Sequence, residues 1–187
     1  MRVPASAFLL AALAAGGLVG CTPPPVPVVE ARQPEPPVPV PPTQNAPMCL
    51  RTAEKAAVDV STLKSHMVVT AISCKSEERY NAFITQFKPY LANNEKVLSG
   101  YFSRAYGKRG QSAQDDYITT LANAQSQFAV RAGTLYCRQN MAMFDEVMAL
   151  KTGTDLPGYA NSKPIQLALA VQECPPPAPA PVPKKKP

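Results

Sequence analysis

Cysteine thiols are the side chains of this chain that are best placed for covalent chemistry. The 187 residues include five cysteines and a single histidine. Cys21 follows an apolar N-terminal stretch, whereas the other four lie far down the chain, separated from one another by 25, 63 and 37 residues. Structural zinc sites are typically built from cysteine pairs two to four residues apart, often with histidines. We therefore expect neither a metal nor another cofactor.

The residues before Cys21 have the pattern of an export signal. Arg2 supplies a positive charge, residues 8–19 are mostly apolar, and small residues lead to Cys21. This order of charge, apolar run and small residues is typical of a secretory signal peptide. The apolar run is too short to be a membrane-spanning helix.

The sequence Leu18-Val19-Gly20-Cys21 resembles the lipobox of bacterial lipoproteins. The resemblance implies that residues 1–20 are removed, that the sulfur of Cys21 carries a diacylglyceryl group, and that the new amino terminus is acylated. Two or three acyl chains, such as palmitate, would make release from the membrane negligible. Thr22 stands where aspartate is a retention signal for the inner membrane in enteric-type bacteria. The resemblance therefore implies an anchor in the outer membrane, facing the periplasm.

Two proline-rich tracts flank the central part of the chain. Residues 22–47 contain eleven prolines and residues 175–187 contain seven. Proline disfavours both helices and strand ladders, and the remaining residues are too polar or small to build a core. We expect residues 21–47 to be a lipidated, disordered tether that reaches up to roughly 80 Å in polyproline II form. Residues 175–187 are expected to be a disordered basic tail, which leaves residues 48–174 as one folded domain.

The domain has the periodicity of helices, because apolar residues recur at steps of three and four. Helices are predicted over 51–73, from 76 to a turn at Asn93-Asn94 with a kink or an end at Pro89, from 95 to Gly107 or Gly110, and over 111–130, 135–150 and 163–171. Residues 152–161 are predicted to be turns. Short connections favour antiparallel neighbours, so we expect an all-α, up-and-down bundle of four to five helices.

The four cysteines of the domain are an even number in an exported chain, which predicts two disulfides. Pairing Cys49 with Cys174 would join the two ends of the domain, and pairing Cys74 with Cys137 would tie the first helical hairpin to a later helix. The sequential alternative, Cys49 with Cys74 and Cys137 with Cys174, stays open at this point.

Basic residues are the candidates for a binding site. Arg104, Lys108 and Arg109 follow one another at a predicted helix end, and Lys184, Lys185 and Lys186 give the tail half of the formal net charge of +6. Such residues can bind the acidic groups of peptidoglycan, anionic lipid or an acidic protein, although cations at a helix C-terminus also stabilise the helix dipole. Nucleic acid is not an expected partner in this compartment.

No catalytic pattern is visible in the sequence. His66 is the only histidine, and no serine lies in a Gly-x-Ser-x-Gly turn, so we expect His66 to be structural or to lie at the surface, and the protein not to be an enzyme. The leading hypothesis is a non-enzymatic structural or protein-interaction module of the cell envelope. A binder of an anionic envelope polymer is the second hypothesis, and an enzyme whose site assembles from scattered residues is the third.

Overall fold

The computed structural model describes residues 44–175, which include the whole predicted domain. Its first helix, α1, spans Thr52–Cys74. All but two side chains from Ala57 to Ala71 are buried, so α1 lies at the centre of the bundle. Val58 to Thr62 contains β-branched residues that weaken helix propensity. This stretch is helical because it is buried, and packing outweighs propensity.

The second helix, α2, is uninterrupted over Glu77–Tyr106. The helix therefore does not end at Pro89, one of the two predicted outcomes there, and the predicted turn at Asn93-Asn94 is wrong. Pro89 is an exposed position within the helix. Asn94 is buried, and its Nδ2 donates a 3.1 Å hydrogen bond to the backbone oxygen of Ala57. This asparagine joins α2 to α1 instead of starting a turn.

Glycines end the next two helices. Gly107 has a φ of +57°, a conformation that glycine adopts most easily, and it ends α2 as predicted. A 3-10 turn over Gly107–Arg109 leads into α3, which spans Gly110–Ala132. Gly133, with a φ of +54°, ends α3 and separates it from the following helix.

The last third of the domain differs most from the prediction. The segment predicted as one helix over 135–150 is two short helices, α4 over Thr134–Asn140 and α5 over Ala142–Met148. A 3-10 turn, Gly153–Asp155, and helix α6, Leu156–Asn161, replace the predicted turns. Pro157 lies in the first turn of α6, where the missing N–H of proline costs little.

The predicted helix over 163–171 does not form. This segment is largely without regular structure and ends in the short strand β2, Leu169–Ala170, which pairs in parallel with β1, Gln44–Asn45. Its backbone oxygens bond outside the segment, since Gln166 O accepts a hydrogen bond from Gln125 Nε2 at 3.1 Å and Ala170 O accepts one from Ala46 N at 2.8 Å. The strand pairing requires an extended chain, which excludes a helix.

The core extends along α1, which packs against α2, α3 and α6. One cluster of buried side chains lies towards the end of α1 and includes Leu63, Met67, Phe83, Phe144 and Val147. A second lies towards its start and includes Leu50, Val58, Leu98, Tyr101 and Leu121. The prediction of an all-α bundle with two disulfides is confirmed. The predicted disorder of both proline-rich tracts concerns residues that, apart from 44–47 and Pro175, lie outside the described range.

Candidate functional site

The two ends of the domain are joined by a structure that we call the terminal clasp, formed by residues 44–50, residues 169–174 and the Cys49–Cys174 disulfide. Gln44 and Asn45 pair with Leu169 and Ala170, and a further parallel bridge joins Leu50 to Glu173. Backbone hydrogen bonds of 2.8 Å run from Leu50 N to Gln172 O and from Cys174 N to Leu50 O. Both segments therefore run side by side in the same direction.

Disulfide bonds close the clasp and tie down the opposite part of the bundle. Cys49 is bonded to Cys174 across a sequence separation of 125 residues, and their Cα atoms lie 4.8 Å apart. Cys74, at the end of α1, is bonded to Cys137 in α4. Of the two pairings considered, the one that joins Cys49 to Cys174 and Cys74 to Cys137 is present, and the sequential pairing is not.

Arg104 fixes the clasp to the helices instead of belonging to an open basic site. Its Nη2 donates to Glu54 Oε2 at 2.5 Å and to the backbone oxygen of Cys49 at 2.9 Å, and its Nε donates to Glu54 Oε1 at 3.0 Å. The guanidinium carbon also lies 5.6 Å from the centre of the Tyr101 ring. The forked, charge-assisted contact is the geometry that arginine makes best with a carboxylate.

The protonation of Glu54 follows from this contact. Burial raises the pKa of the carboxyl, but hydrogen bonds from Arg104 and from the backbone N–H of Arg51 outweigh burial, so the pKa of Glu54 is lowered. The Arg51 N–H lies 2.8 Å from Glu54 Oε2 and is one of the donors that a helix start leaves unpaired. Glu54 is therefore ionised at neutral pH and connects the start of α1, the end of α2 and the clasp.

The other predicted anion-binding residues differ from Arg104. Lys108 and Arg109 are exposed in the 3-10 turn after α2 and make no ion pair within residues 44–175. They follow Arg104 by four and five residues, so they lie at the end of the bundle where Cys49 and Cys174 meet. The lipidation candidate Cys21 and the tail lysines Lys184, Lys185 and Lys186 lie outside the described residues.

His66 is buried, so of the two expected positions, structural or surface, the surface one is excluded. Only 3% of its surface is exposed, and its Nε2 lies 2.9 Å from Asn140 Oδ1. Burial lowers the pKa of His66, against the opposing effect of the Asn140 contact, so the ring is neutral. Neighbouring polar groups are bonded to one another, with Thr70 Oγ1 2.9 Å from the Tyr136 hydroxyl. This network joins α1 to α4 near the Cys74–Cys137 disulfide.

An open groove lies on the other side of the bundle, between α1 and α2. It has a volume of about 430 Å³ and is lined by apolar Ile84, Leu91 and Ala92, with Lys64 and Lys88 among its polar residues. Lys64 Nζ is 3.4 Å from Glu95 Oε2, an ion pair between two partly exposed side chains. Within residues 44–175, Lys88 makes no ion pair, so the groove presents this cation beside an apolar floor.

Two further features of the described range bear on membrane and metal binding. No helix within residues 44–175 combines the length and the apolar character needed to cross a bilayer. Across the same residues, no three histidine, cysteine, aspartate or glutamate side chains are grouped as metal ligands would be.

Sequence reasoning missed the residues that support the clasp, chiefly Glu54 and Leu50. Leu50 is fully buried, and Glu54 lies three residues after Arg51, a spacing that allows a side chain to bond the N–H at a helix start. That spacing was visible in the sequence. The partner in α2, Arg104, was not, because 50 residues separate it from Glu54.

Comparisons of this chain with protein-family models, with curated proteins and with solved structures find no match. Its function must therefore be argued from its own residues.

Proposed function

We propose that this protein is a lipid-anchored lipoprotein of the bacterial cell envelope whose helical domain is a non-enzymatic structural or protein-interaction module. The observation that carries the proposal is the terminal clasp. The lipobox-bearing tether is continuous in sequence with Cys49, and the basic tail is continuous with Cys174. A covalent junction between a lipid-anchored segment and a basic tail is the arrangement expected of a linker between two envelope components.

The anchor is tested by membrane fractionation of the wild type and of Cys21→Ser. We expect the wild type in the outer-membrane fraction, with a diacylglyceryl group on its N-terminal peptide by mass spectrometry, and Cys21→Ser without the lipid. Thr22→Asp is the matched sorting control and should move a lipidated protein to the inner membrane in enteric-type cells. An unlipidated wild-type peptide would refute the anchor.

The interaction role is tested by crosslinking in cells, followed by mass spectrometry. A reproducible envelope partner that is crosslinked to the wild type and lost in Cys21→Ser would support a tethered adaptor. If the wild type and Cys21→Ser give the same crosslinks as an unrelated lipidated domain, the adaptor role is wrong.

A second candidate function, binding of an anionic envelope polymer, is favoured by one observation. Lys108 and Arg109 are exposed, make no ion pair with any residue from 44 to 175, and lie at the end of the bundle where Cys174 is bonded to Cys49. The tail lysines, Lys184 to Lys186, follow Cys174 by ten to twelve positions in the sequence. Several cations near one another attract a polyanion more strongly than scattered ones.

Cosedimentation with purified peptidoglycan distinguishes this candidate. Wild-type binding should weaken as the salt concentration is raised. A variant that combines Lys108→Gln and Arg109→Gln with Lys184→Gln, Lys185→Gln and Lys186→Gln should not bind. Lys88→Gln with Lys151→Gln also removes two positive charges, from other exposed positions, and is the control for the pair Lys108→Gln with Arg109→Gln. Equal loss in both pairs, or no loss in either, would rule out a specific cationic surface.

A further inference from the structure

The terminal clasp determines where a pulling force passes through the molecule. A chain anchored through residue 21 and held by its tail would be loaded between residue 44 and residue 175. The shortest covalent path between these points runs from residue 44 to Cys49, across the disulfide, and from Cys174 to residue 175. The 124 residues between the two cysteines, which include all six helices, are not on this path.

The direction of the two segments adds to this effect. They are parallel, so a force that pulls residue 44 backwards and residue 175 forwards slides one segment along the other. The hydrogen bonds from Ala46 to Ala170 and from Leu50 to Gln172 then share the load. Bonds loaded together resist more force than bonds that open one after another, as they would at the end of a hairpin.

The contacts of Arg104 connect the loaded segment, at Cys49, to the helices. Its guanidinium holds the backbone oxygen of Cys49 and, through Glu54, the start of α1. The clasp is therefore attached to the helices at the residue through which the force leaves the N-terminal segment.

We infer that the Cys49–Cys174 disulfide makes the domain a load-bearing junction, in which tension between the tether and the tail bypasses the helical bundle. That such tension occurs rests on the proposed function, whereas the load path depends on residues 44–175 alone. The partner class implied is a fixed polymer or protein that can hold the tail while the lipid holds the tether.

Single-molecule pulling on purified protein tests the load path. The chain from Thr22 to Pro187 is pulled by a handle at each end with both disulfides oxidised. We expect no stepwise increase in its contour length. With Cys49→Ser and Cys174→Ser, unfolding should release roughly 200 Å, because Cys74–Cys137 still retains its own loop. Removing all four cysteines should release roughly 430 Å, as about 125 residues become extensible.

The matched control is Cys74→Ser with Cys137→Ser, which keeps the outer disulfide alone. It should resist pulling as the wild type does until reductant is added under tension, and it should then release the full length of roughly 430 Å. This variant keeps the outer disulfide, so the load path can be tested even if loss of the outer disulfide prevents folding. A release of 200 Å or more from either oxidised protein would overturn the inference. Failure of lipidation or of polymer binding would leave this result unchanged and would refute only the proposed function.

Discussion

Glu54 is the residue on which three parts of the domain depend. It accepts from Arg104 and from the Arg51 N–H, and its side chain is 8% exposed. Glu54→Gln keeps the shape but removes the charge, so we expect the free energy of unfolding to fall by about 1–2 kcal/mol at pH 7. Asp145→Asn is the control, because the Arg79–Asp145 pair is exposed and should contribute at most about 0.5 kcal/mol.

The effect of Glu54 should depend on pH with a definite sign. Its pKa is lower in the folded protein than the value of about 4.3 in an unfolded chain. The stabilisation is therefore present above about pH 4.3 and is lost as the pH falls through the lower folded value. In urea unfolding, the free energies of unfolding of the wild type and of Glu54→Gln should differ at pH 7 and become similar at pH 3. A deficit of equal size at both pH values would contradict this account.

His66 gives a second pH dependence, in a different range. Burial lowers its folded pKa below the unfolded value of about 6.5, so the folded state binds fewer protons between pH 5 and 7. Stability should therefore fall as the pH drops through this range. Because His66 is the only histidine, His66→Gln should flatten the dependence while costing about 1–3 kcal/mol at pH 7. An unchanged slope in His66→Gln, measured by urea unfolding at pH 7, 6 and 5, would assign the dependence to other groups.

Among the elements, α2 shows where sequence reasoning failed and why. Phe83, Phe87 and Leu91 are buried, and their spacing of four residues, which repeats with the turn of a helix, indicates one buried face. The local preferences of proline and asparagine predict interruptions of the helix near Pro89 and Asn94. The fold overrides those preferences because the 30-residue helix packs along α1 and because Asn94 finds a buried partner there. Such a partner 37 residues away cannot be deduced from local sequence.

The prediction of a helix in the C-terminal segment is wrong for the same physical reason. Residues 163–171 have an apolar pattern that suits a helix, and Ile165, Ala168 and Leu169 are indeed buried. The apolar residues are thus buried, but the predicted helical conformation is wrong. The deciding contacts are backbone hydrogen bonds to Gln125 and to the segment before Cys49, which are both distant in sequence. The disulfides could be predicted because compartment and cysteine number limit them to three pairings.

The proline in α2 leads to a prediction at this scale. Proline within a helix lacks the N–H that would bond the backbone oxygen four residues earlier, and it costs about 3 kcal/mol relative to alanine. Pro89 is exposed, so Pro89→Ala removes little packing. We expect it to raise the free energy of unfolding by about 1–3 kcal/mol, measured in urea. Lys88→Ala, at the neighbouring exposed position, should change it by less than about 0.5 kcal/mol. Destabilisation by Pro89→Ala would mean that α2 needs the proline's geometry to follow the bundle.

For the whole molecule, the two disulfides should be alike at equilibrium and different under load. Each closes a long loop, of 125 or 63 residues, and loop entropy depends only weakly on length. Removing either pair by serine substitution should therefore lower the free energy of unfolding by a similar amount, about 3–5 kcal/mol. Guanidinium unfolding of the two double variants measures this.

The comparison matters because stability alone would not explain the position of Cys49–Cys174. If both double variants lose similar stability in denaturant but only the Cys49→Ser with Cys174→Ser variant releases length under tension, then the outer disulfide has a mechanical role separate from folding. If instead its removal costs far more than removal of Cys74–Cys137, exceeding the range expected from loop entropy, the clasp is chiefly a folding element. In that case the segments before Cys49 and after Cys174 would be joined because the core around Leu50 requires both, and not because they transmit force.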